Sequence, residues 1–259
     1  MMTTRVLIKI GGRAFEDREG FVSLSKAIRS TDHTQIIIVH GGGSEISQAL
    51  KEAHRQTAFI DGIRVTPAED IRIVEDVLSG RINKRIAALL SENGIPCTRL
   101  SGKTDHLFTV NPLIRHGRSL GYVGEINHVN ARPVLESLKR GCVPVVSPIS
   151  VDGDGNSYNV NADSAAAALA VASKCSDLVY LSDVPGVCTK DTILPSLTIR
   201  QASQLIADGT ISGGMVAKIE SACEAVNGRV KRVHITRWHG PDTLRKIVRE
   251  EPTGTTIQW

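Results

Sequence analysis

Two lysines, an aspartate and runs of glycine are the residues of this chain best able to do chemistry. Lys9 is the only charged residue in the apolar stretch 6–10, and Gly11-Gly12 follows it. An ammonium near the end of a buried strand is costly unless it meets an anion. Its place beside a Gly-Gly turn favours a ligand contact over a side chain that snorkels to the surface. His40 closes the run 36–39 (IIIV) and opens into Gly41, Gly42 and Gly43. Glycines between a strand and a helix let a ligand touch the backbone, and the freed N–H groups at a helix N-terminus select phosphate or carboxylate. Asn159, Asn161 and Asp163 alternate just ahead of an alanine-rich helix. Asp163 alone would serve to compensate the helix dipole, but three polar groups projecting together before a buried helix read as a site. Lys218 lies early in a helix behind the glycine-rich stretch 208–217, where the dipole disfavours a cation and a phosphate partner would offset that.

Arg64 stands between Ile63 and Val65, a setting in which a guanidinium pairs with a carboxylate, either internal or a substrate's. Asp183, Val184, Pro185, Gly186 and Val187 form a turn after the strand 177–181, where the crevice of an open α/β sheet lies. Phosphoryl transfer needs positioning and positive charge around the migrating group more than covalent help. Backbone N–H groups of Gly12, Gly42 and Gly43, with Lys9 and Lys218, would supply both. Other chemistries are excluded. Gly102-Lys103-Thr104 mimics the end of a P-loop, but Cys97 stands where its first glycine belongs. The stretch 152–155 (DGDG) resembles the start of a calcium loop without the flanking helices or terminal Glu, and reads as a hairpin turn. HGGG occurs as an oxyanion loop in esterases, but the chain has no G-x-S-x-G elbow.

The elements that must hold these groups alternate between strand and helix. The unalternating run 36–39 is a strand buried on both faces, and similar strands are read at 5–10, 96–100, 143–146, 177–181 and 232–235. Helices are read at 21–28, 81–92, 131–140, 198–207 and 243–248. Ser44 is the expected N-cap of a helix with Ile46, Ala49, Leu50 and Ala53 on one face, and Thr66-Pro67 the expected start of another. Residues 107–111 and 120–125 read as a hairpin, and 255–258 as a closing edge strand. This order predicts an α/β fold, a three-layer αβα sandwich around a mainly parallel central sheet with right-handed crossovers.

A length of 259 residues, 41% hydrophobic and 22% charged, suits one large α/β domain or two closely joined lobes. A net charge of +4 with interspersed acids, and 3% aromatics, argue against nucleic-acid binding. Arg229, Lys231, Arg232 and Arg237 therefore read as a solvated face. Five isolated cysteines without C-x-x-C spacing point away from a disulfide framework or zinc site and toward a reducing cytoplasm. The stretch 6–10 is too short for a signal h-region, and no apolar run approaches membrane-spanning length.

IKIGG, IVHGGG, GIRVTP, YVGEI, PVVSPI, YNVNAD, LSDVPG and GGMVAK, in this order, resemble the amino acid kinase superfamily over nearly the whole chain. Within it they are similar to the branch that phosphorylates N-acetylglutamate in arginine biosynthesis. The resemblance implies that Lys9 and Lys218 stabilise the transferring γ-phosphoryl group, that Asp163 orients both lysines, and that Gly12, Gly42 and Gly43 hold the group through backbone amides. It implies that Arg64 and Asn159 bind the α-carboxylate of N-acetylglutamate, with Asn161 in support. ATP would be held by Gly11 and Gly12, by Asp183, Val184, Pro185, Gly186, Val187 and Cys188, and by Thr210, Ile211, Ser212, Gly213 and Met215. Mg²⁺ would bridge the phosphates rather than sit in a protein cage. The resemblance further implies a lobe 1–174 for the amino acid and a dimer contact, a lobe 175–259 for nucleotide, and one shared sheet. Arginine-inhibited hexameric members carry an extra N-terminal helix, for which Lys9 comes too early, so a cytoplasmic, arginine-insensitive homodimer without nucleic-acid or membrane partners is expected. Carrier-protein-linked aminoadipate kinases of lysine biosynthesis are the nearest rival, but they typically follow the substrate-site arginine with Tyr, where this chain has Val65. Glutamate 5-kinase and aspartokinase usually carry a further C-terminal domain, for which this chain has no room. A non-catalytic sensor on the same fold would not need Lys9, Asp163 and Lys218 together. The chain departs from the family pattern at Pro185, where a polar residue is common, at Ala217, where proline is usual, and along 233–240.

Overall fold

Along the first strand Val6, Ile8 and Ile10 pack on one side of the sheet and Leu7 on the other, as the period of two requires. Both faces are buried, which is why the strand reads as a nearly continuous apolar run. The computed structural model describes residues 4–11, 18–31, 33–189 and 192–259. Gly12, expected to hold phosphate, lies outside the described residues. The main sheet is built from Thr4–Ile10 (β1), Thr34–His40 (β2), Cys97–Ser101 (β3), Val143–Ser147 (β4), Asp177–Leu181 (β5), Ser196–Thr198 (β6), Arg232–Thr236 (β7) and Thr255–Gln258 (β8). Its spatial order is β6-β8-β7-β5-β1-β2-β4-β3, and every neighbouring pair is parallel except β7 with β8. The expected mainly parallel sheet is therefore present, with β1, β2 and β5 at its centre. One apolar core lies on each face, and helices cover both.

The hairpin Phe108–Arg115 with Arg118–Val129 closes with Ile149–Val151 and Ser157–Asn159 into a small four-stranded barrel beside the sheet. The DGDG stretch joins the last two of these strands in antiparallel register, as the turn reading anticipated.

Several local expectations are corrected. Residues 255–258 are not an edge strand, because Ser196–Thr198 adds outside them. The helix after the glycines is Gly43–Glu52, capped by Gly42, so Ser44 lies inside it and makes no cap bond, and Ala53 is exposed at its end. No helix starts at Thr66-Pro67. Thr66 instead takes a hydrogen bond from the Tyr122 N–H at 2.7 Å and gives one to the Leu120 carbonyl at 2.9 Å, and the next helix is Ile71–Glu75. A strand-to-barrel ladder thus outweighed the local capping preference. The helix read from 81 begins as a π-helical segment, Asp76–Ile82, before Asn83–Glu92. Arg232 is no solvated residue: its guanidinium holds the buried Asp177 carboxylate at 2.8 Å.

Candidate active site

Period two along β1 puts Lys9 on the face of Leu7, beside Tyr180 of β5. Against that face lies the helix Ala162–Ala172, whose alanines allow close approach to the sheet. The Asn161 side chain caps this helix, accepting from the N–H groups of Asp163 and Ser164 at 2.8 and 3.2 Å. Asp163, in the first turn, lies between two cations. Lys9 Nζ is 2.8 Å from its Oδ1, and Lys218 Nζ, from the helix Gly214–Asn227, is 2.8 Å from its Oδ2. All three side chains are buried. Burial by itself would raise the Asp163 carboxyl, but the ammonium groups of Lys9 and Lys218 outweigh it and hold the group down at about 2. Burial lowers the Lys218 ammonium; Asp163 opposes that effect and Lys9 adds to it, leaving a net lowering. One carboxylate between two ammonium groups leaves a surplus positive charge in a buried place, which suits an anionic ligand.

Arg64 is also buried, and no internal carboxylate among the described residues pairs with it. Its guanidinium donates to the Gly43 carbonyl at 2.8 Å, to Ser47 Oγ at 2.9 Å and to Thr57 Oγ1 at 3.3 Å, and it stacks 4.8 Å from the centre of the Phe59 ring. Burial lowers its pKa, with Asp70 opposing; Asp70 itself is held by Arg55 at 2.7 Å. Of the two partners the sequence left open, the structure leaves room for an external carboxylate. Asn159, at the end of its barrel strand, donates to Thr66 Oγ1 at 3.2 Å.

These groups face one cleft at the C-terminal ends of β1, β2 and β5. A cavity of about 650 Å³ is lined by Lys9, Gly11, Gly43, Arg64, Asp163, Asp183, Val184, Met215 and Lys218. An adjoining cavity of about 200 Å³ shares Lys9, Gly43, Arg64 and Asp163 and adds Gly42, Asn159 and Asn161. Pro185, Gly186, Val187, Cys188, Thr210, Ile211, Ser212 and Gly213 line neither. Val187 and Ile211 are buried in the core, and a Cβ on Gly186 would sit 2.8 Å from Thr255 Oγ1. They shape the turns that carry Asp183 and Met215. Gly42 needs its missing side chain for packing, since a Cβ there would meet Ile82 Cδ1 at 2.3 Å. A Cβ on Gly43 would meet nothing within 4 Å, so that glycine faces open space. The Gly42 and Gly43 N–H groups have no hydrogen-bond partner among the described residues.

Three residues escaped the sequence reading. Ser47 follows Gly43 by one helical turn, a spacing that would have placed it beside the glycines. Phe59 is the cross-strand partner of Arg64 in the hairpin around Asp61-Gly62, so register would have found it. Tyr180 carries no local signal. Its hydroxyl donates to the Asp163 carbonyl at 3.1 Å, its ring lies 5.0 Å from Lys218 Nζ, and burial holds its pKa well above the usual tyrosine value, so it remains a donor.

The arrangement can receive a polyanion over Lys9, Lys218 and the glycine amides, next to a guanidinium waiting for a carboxylate. The amino acid kinase family matches residues 4–237. The chain is 36% identical over 257 residues to the acetylglutamate kinase of Geobacillus kaustophilus (strain HTA426), covering 95% of this chain and 98% of the relative. It is 37% identical over 260 residues to the acetylglutamate kinase of Syntrophomonas wolfei, covering 98% and 90%. Among solved structures, smu.665 from Streptococcus mutans UA159 matches with a TM-score of 0.85 and 30% identity over 99% of each chain.

Proposed function

The chain belongs to the amino acid kinase family, and from that premise we propose that it phosphorylates the side-chain carboxylate of N-acetyl-L-glutamate with ATP, forming N-acetylglutamyl 5-phosphate in arginine biosynthesis. The observation that carries this reading is the meeting of Lys9 and Lys218 on the single carboxylate of Asp163, within one cleft beside Arg64, with which no acid among the described residues pairs. Arg64 and Asn159 hold the α-carboxylate, so that the side-chain carboxylate of the same molecule is presented to the γ-phosphorus. That carboxylate is ionised at pH 7, so the attack requires no general base. As the bond to phosphorus forms and the bond to the leaving oxygen of ADP breaks, charge on the transferring oxygens is met by the Lys9 and Lys218 ammonium groups and the Gly42 and Gly43 amides. Asp163 keeps both ammonium groups aimed at that point.

The turn with Asp183 and Val184 and the loop that ends at Met215 are the nucleotide side of the cleft in this reading. No group of three or more His, Cys, Asp or Glu among the described residues is placed to hold a metal, and both oxygens of Asp163 already face lysines. Such a donor set fits a divalent cation carried mainly by the nucleotide phosphates, with Asp183 as the carboxylate at the cavity wall. When bound, Mg²⁺ would neutralise charge between the phosphates. We assign residues 1–174 to the amino acid and a dimer contact and 175–259 to nucleotide, and the protein to the cytoplasm as an arginine-insensitive homodimer. Among the described residues no helix is long and apolar enough to cross a membrane. Light scattering tests the dimer, and a hexamer would refute it.

The decisive assay measures ATP consumption with N-acetylglutamate, glutamate, aspartate and aminoadipate in turn, trapping the acyl phosphate with hydroxylamine. N-acetylglutamate is expected to give the highest kcat/KM and a hydroxamate. Preference for aminoadipate, or no hydroxamate with any acid, would overturn the assignment.

A further inference from the structure

His40 ends β2 immediately before the glycines, and it is buried to 1% exposure. The mechanism above does not use it. Its Nδ1 lies 3.0 Å from the Gly41 carbonyl oxygen and its Nε2 lies 3.2 Å from Asn83 Nδ2. A carbonyl only accepts and an amide NH₂ only donates, so both contacts require the same tautomer, with the proton on Nδ1. Asn83 is buried as well, just past the π-helical segment. Its two N–H donors are shared among His40 Nε2, the Val145 carbonyl at 2.9 Å and the Leu100 carbonyl at 3.3 Å, and its Oδ1 accepts from Arg99 Nε at 3.1 Å. The imidazole therefore stands on a fixed donor rooted in the β3–β4 side of the sheet. Burial brings its pKa down to about 4, so the ring is neutral at neutral pH.

The consequence lies in the peptide between Gly41 and Gly42. No cis peptide occurs among the described residues, so the Gly42 N–H points opposite to the Gly41 carbonyl. With that carbonyl tied to His40, the N–H is turned away from the imidazole, and Gly41 and Gly42 line the same cavity as Lys9 and Asp163. Glycines have no preferred peptide orientation of their own; here a side chain supplies it.

We propose that His40, seated on Asn83, is a positioning residue that aims the Gly42 N–H at the transferring phosphoryl group. This rests on the phosphotransfer reading above. His40→Asn preserves a donor where Nδ1 stands, whereas His40→Gln moves the amide toward the position of Nε2. His40→Gln should lower kcat roughly ten- to hundredfold, below the full loss of a transition-state donor, with KM for both substrates within roughly threefold of wild type. His40→Asn should retain most of kcat. Binding of ADP with aluminium fluoride and N-acetylglutamate should weaken in His40→Gln by the same factor as kcat, while binding of a non-hydrolysable ATP analogue stays level. In the wild-type protein, ¹⁵N spectra of His40 should show Nδ1 protonated and Nε2 bare throughout pH 6–8. A His40→Gln enzyme within about twofold of wild-type kcat, equal losses in the two variants, or a proton on Nε2 would overturn the proposal. Absence of acyl phosphate from wild-type enzyme refutes the reaction instead, and the tautomer is read without turnover.

Discussion

Replacing Asp163 by asparagine removes a negative charge from between two ammonium groups at almost constant volume. Each Nζ lies 2.8 Å from a carboxylate oxygen. The fall of the Asp163 pKa from an ordinary 3.8 to about 2 corresponds, at 1.36 kcal/mol per unit, to roughly 2–3 kcal/mol of stability at neutral pH. That figure is a net, because burial of the carboxylate already counts against the two attractions. The variant keeps the burial cost of both ammonium groups and loses their shared partner. The expected loss is therefore larger, about 3–5 kcal/mol, as for a buried pair deprived of one member. Urea denaturation of the ligand-free protein measures it. ATP returns negative charge to the same place, so it should raise the Tm of Asp163→Asn by more than that of wild type. In catalysis, both lysines lose their aim, and kcat should fall roughly 10²–10³-fold. The pH profile carries the sign. Asp163 is the main group that opposes the lowering of Lys218, with Asp183 a smaller one, so without it Lys218 sheds its proton more readily and activity should decline with rising pH where wild type is level. A ligand-free variant as stable as wild type, with kcat within about tenfold and a level profile, would refute the reasoning.

Gly43→Ala should fold with unchanged Tm and lose activity, because its Cβ enters open space beside the lysines, whereas Gly42→Ala should lower Tm, since its Cβ would meet Ile82 and Leu78; paired melting curves and kcat values check both. Arg64→Lys should raise KM for N-acetylglutamate roughly ten- to hundredfold and leave KM for ATP alone, because a point charge cannot reproduce the fork that also holds Ser47 and Gly43. At the opposite end of β5, burial alone would raise the Asp177 carboxyl, but bonds from His234, Arg232 and Ser176 hold it below its usual value. Its stability contribution is therefore complete above the unfolded pKa near 4 and lost as pH falls further. The urea midpoint should drop from pH 5 to pH 2 in wild type and drop less in Asp177→Asn, whose kcat should stay within about twofold because the site lies beyond Leu181.

The apolar runs of β1, β2, β4 and β5 identified the central strands, since a strand buried on both faces has no polar positions to spare. Glycines after three strands, and polar residues where burial makes them costly, identified the cleft. Thr66, Ser44 and Arg232 show where local chemistry misled: each has a legitimate short-range reading as cap or surface cation, yet Thr66 and Arg232 were claimed by partners far along the chain and the helix starts one residue ahead of Ser44. Only the folded structure decided that Lys9 and Lys218, 209 positions apart by their numbers, share one aspartate, that no acid among the described residues pairs with Arg64, and that Tyr180 and His40 brace the site. The reason is physical. Periodicity and glycine placement record each residue's own burial and backbone freedom, whereas charge compensation depends on which distant side chain the crossovers bring within about 3 Å.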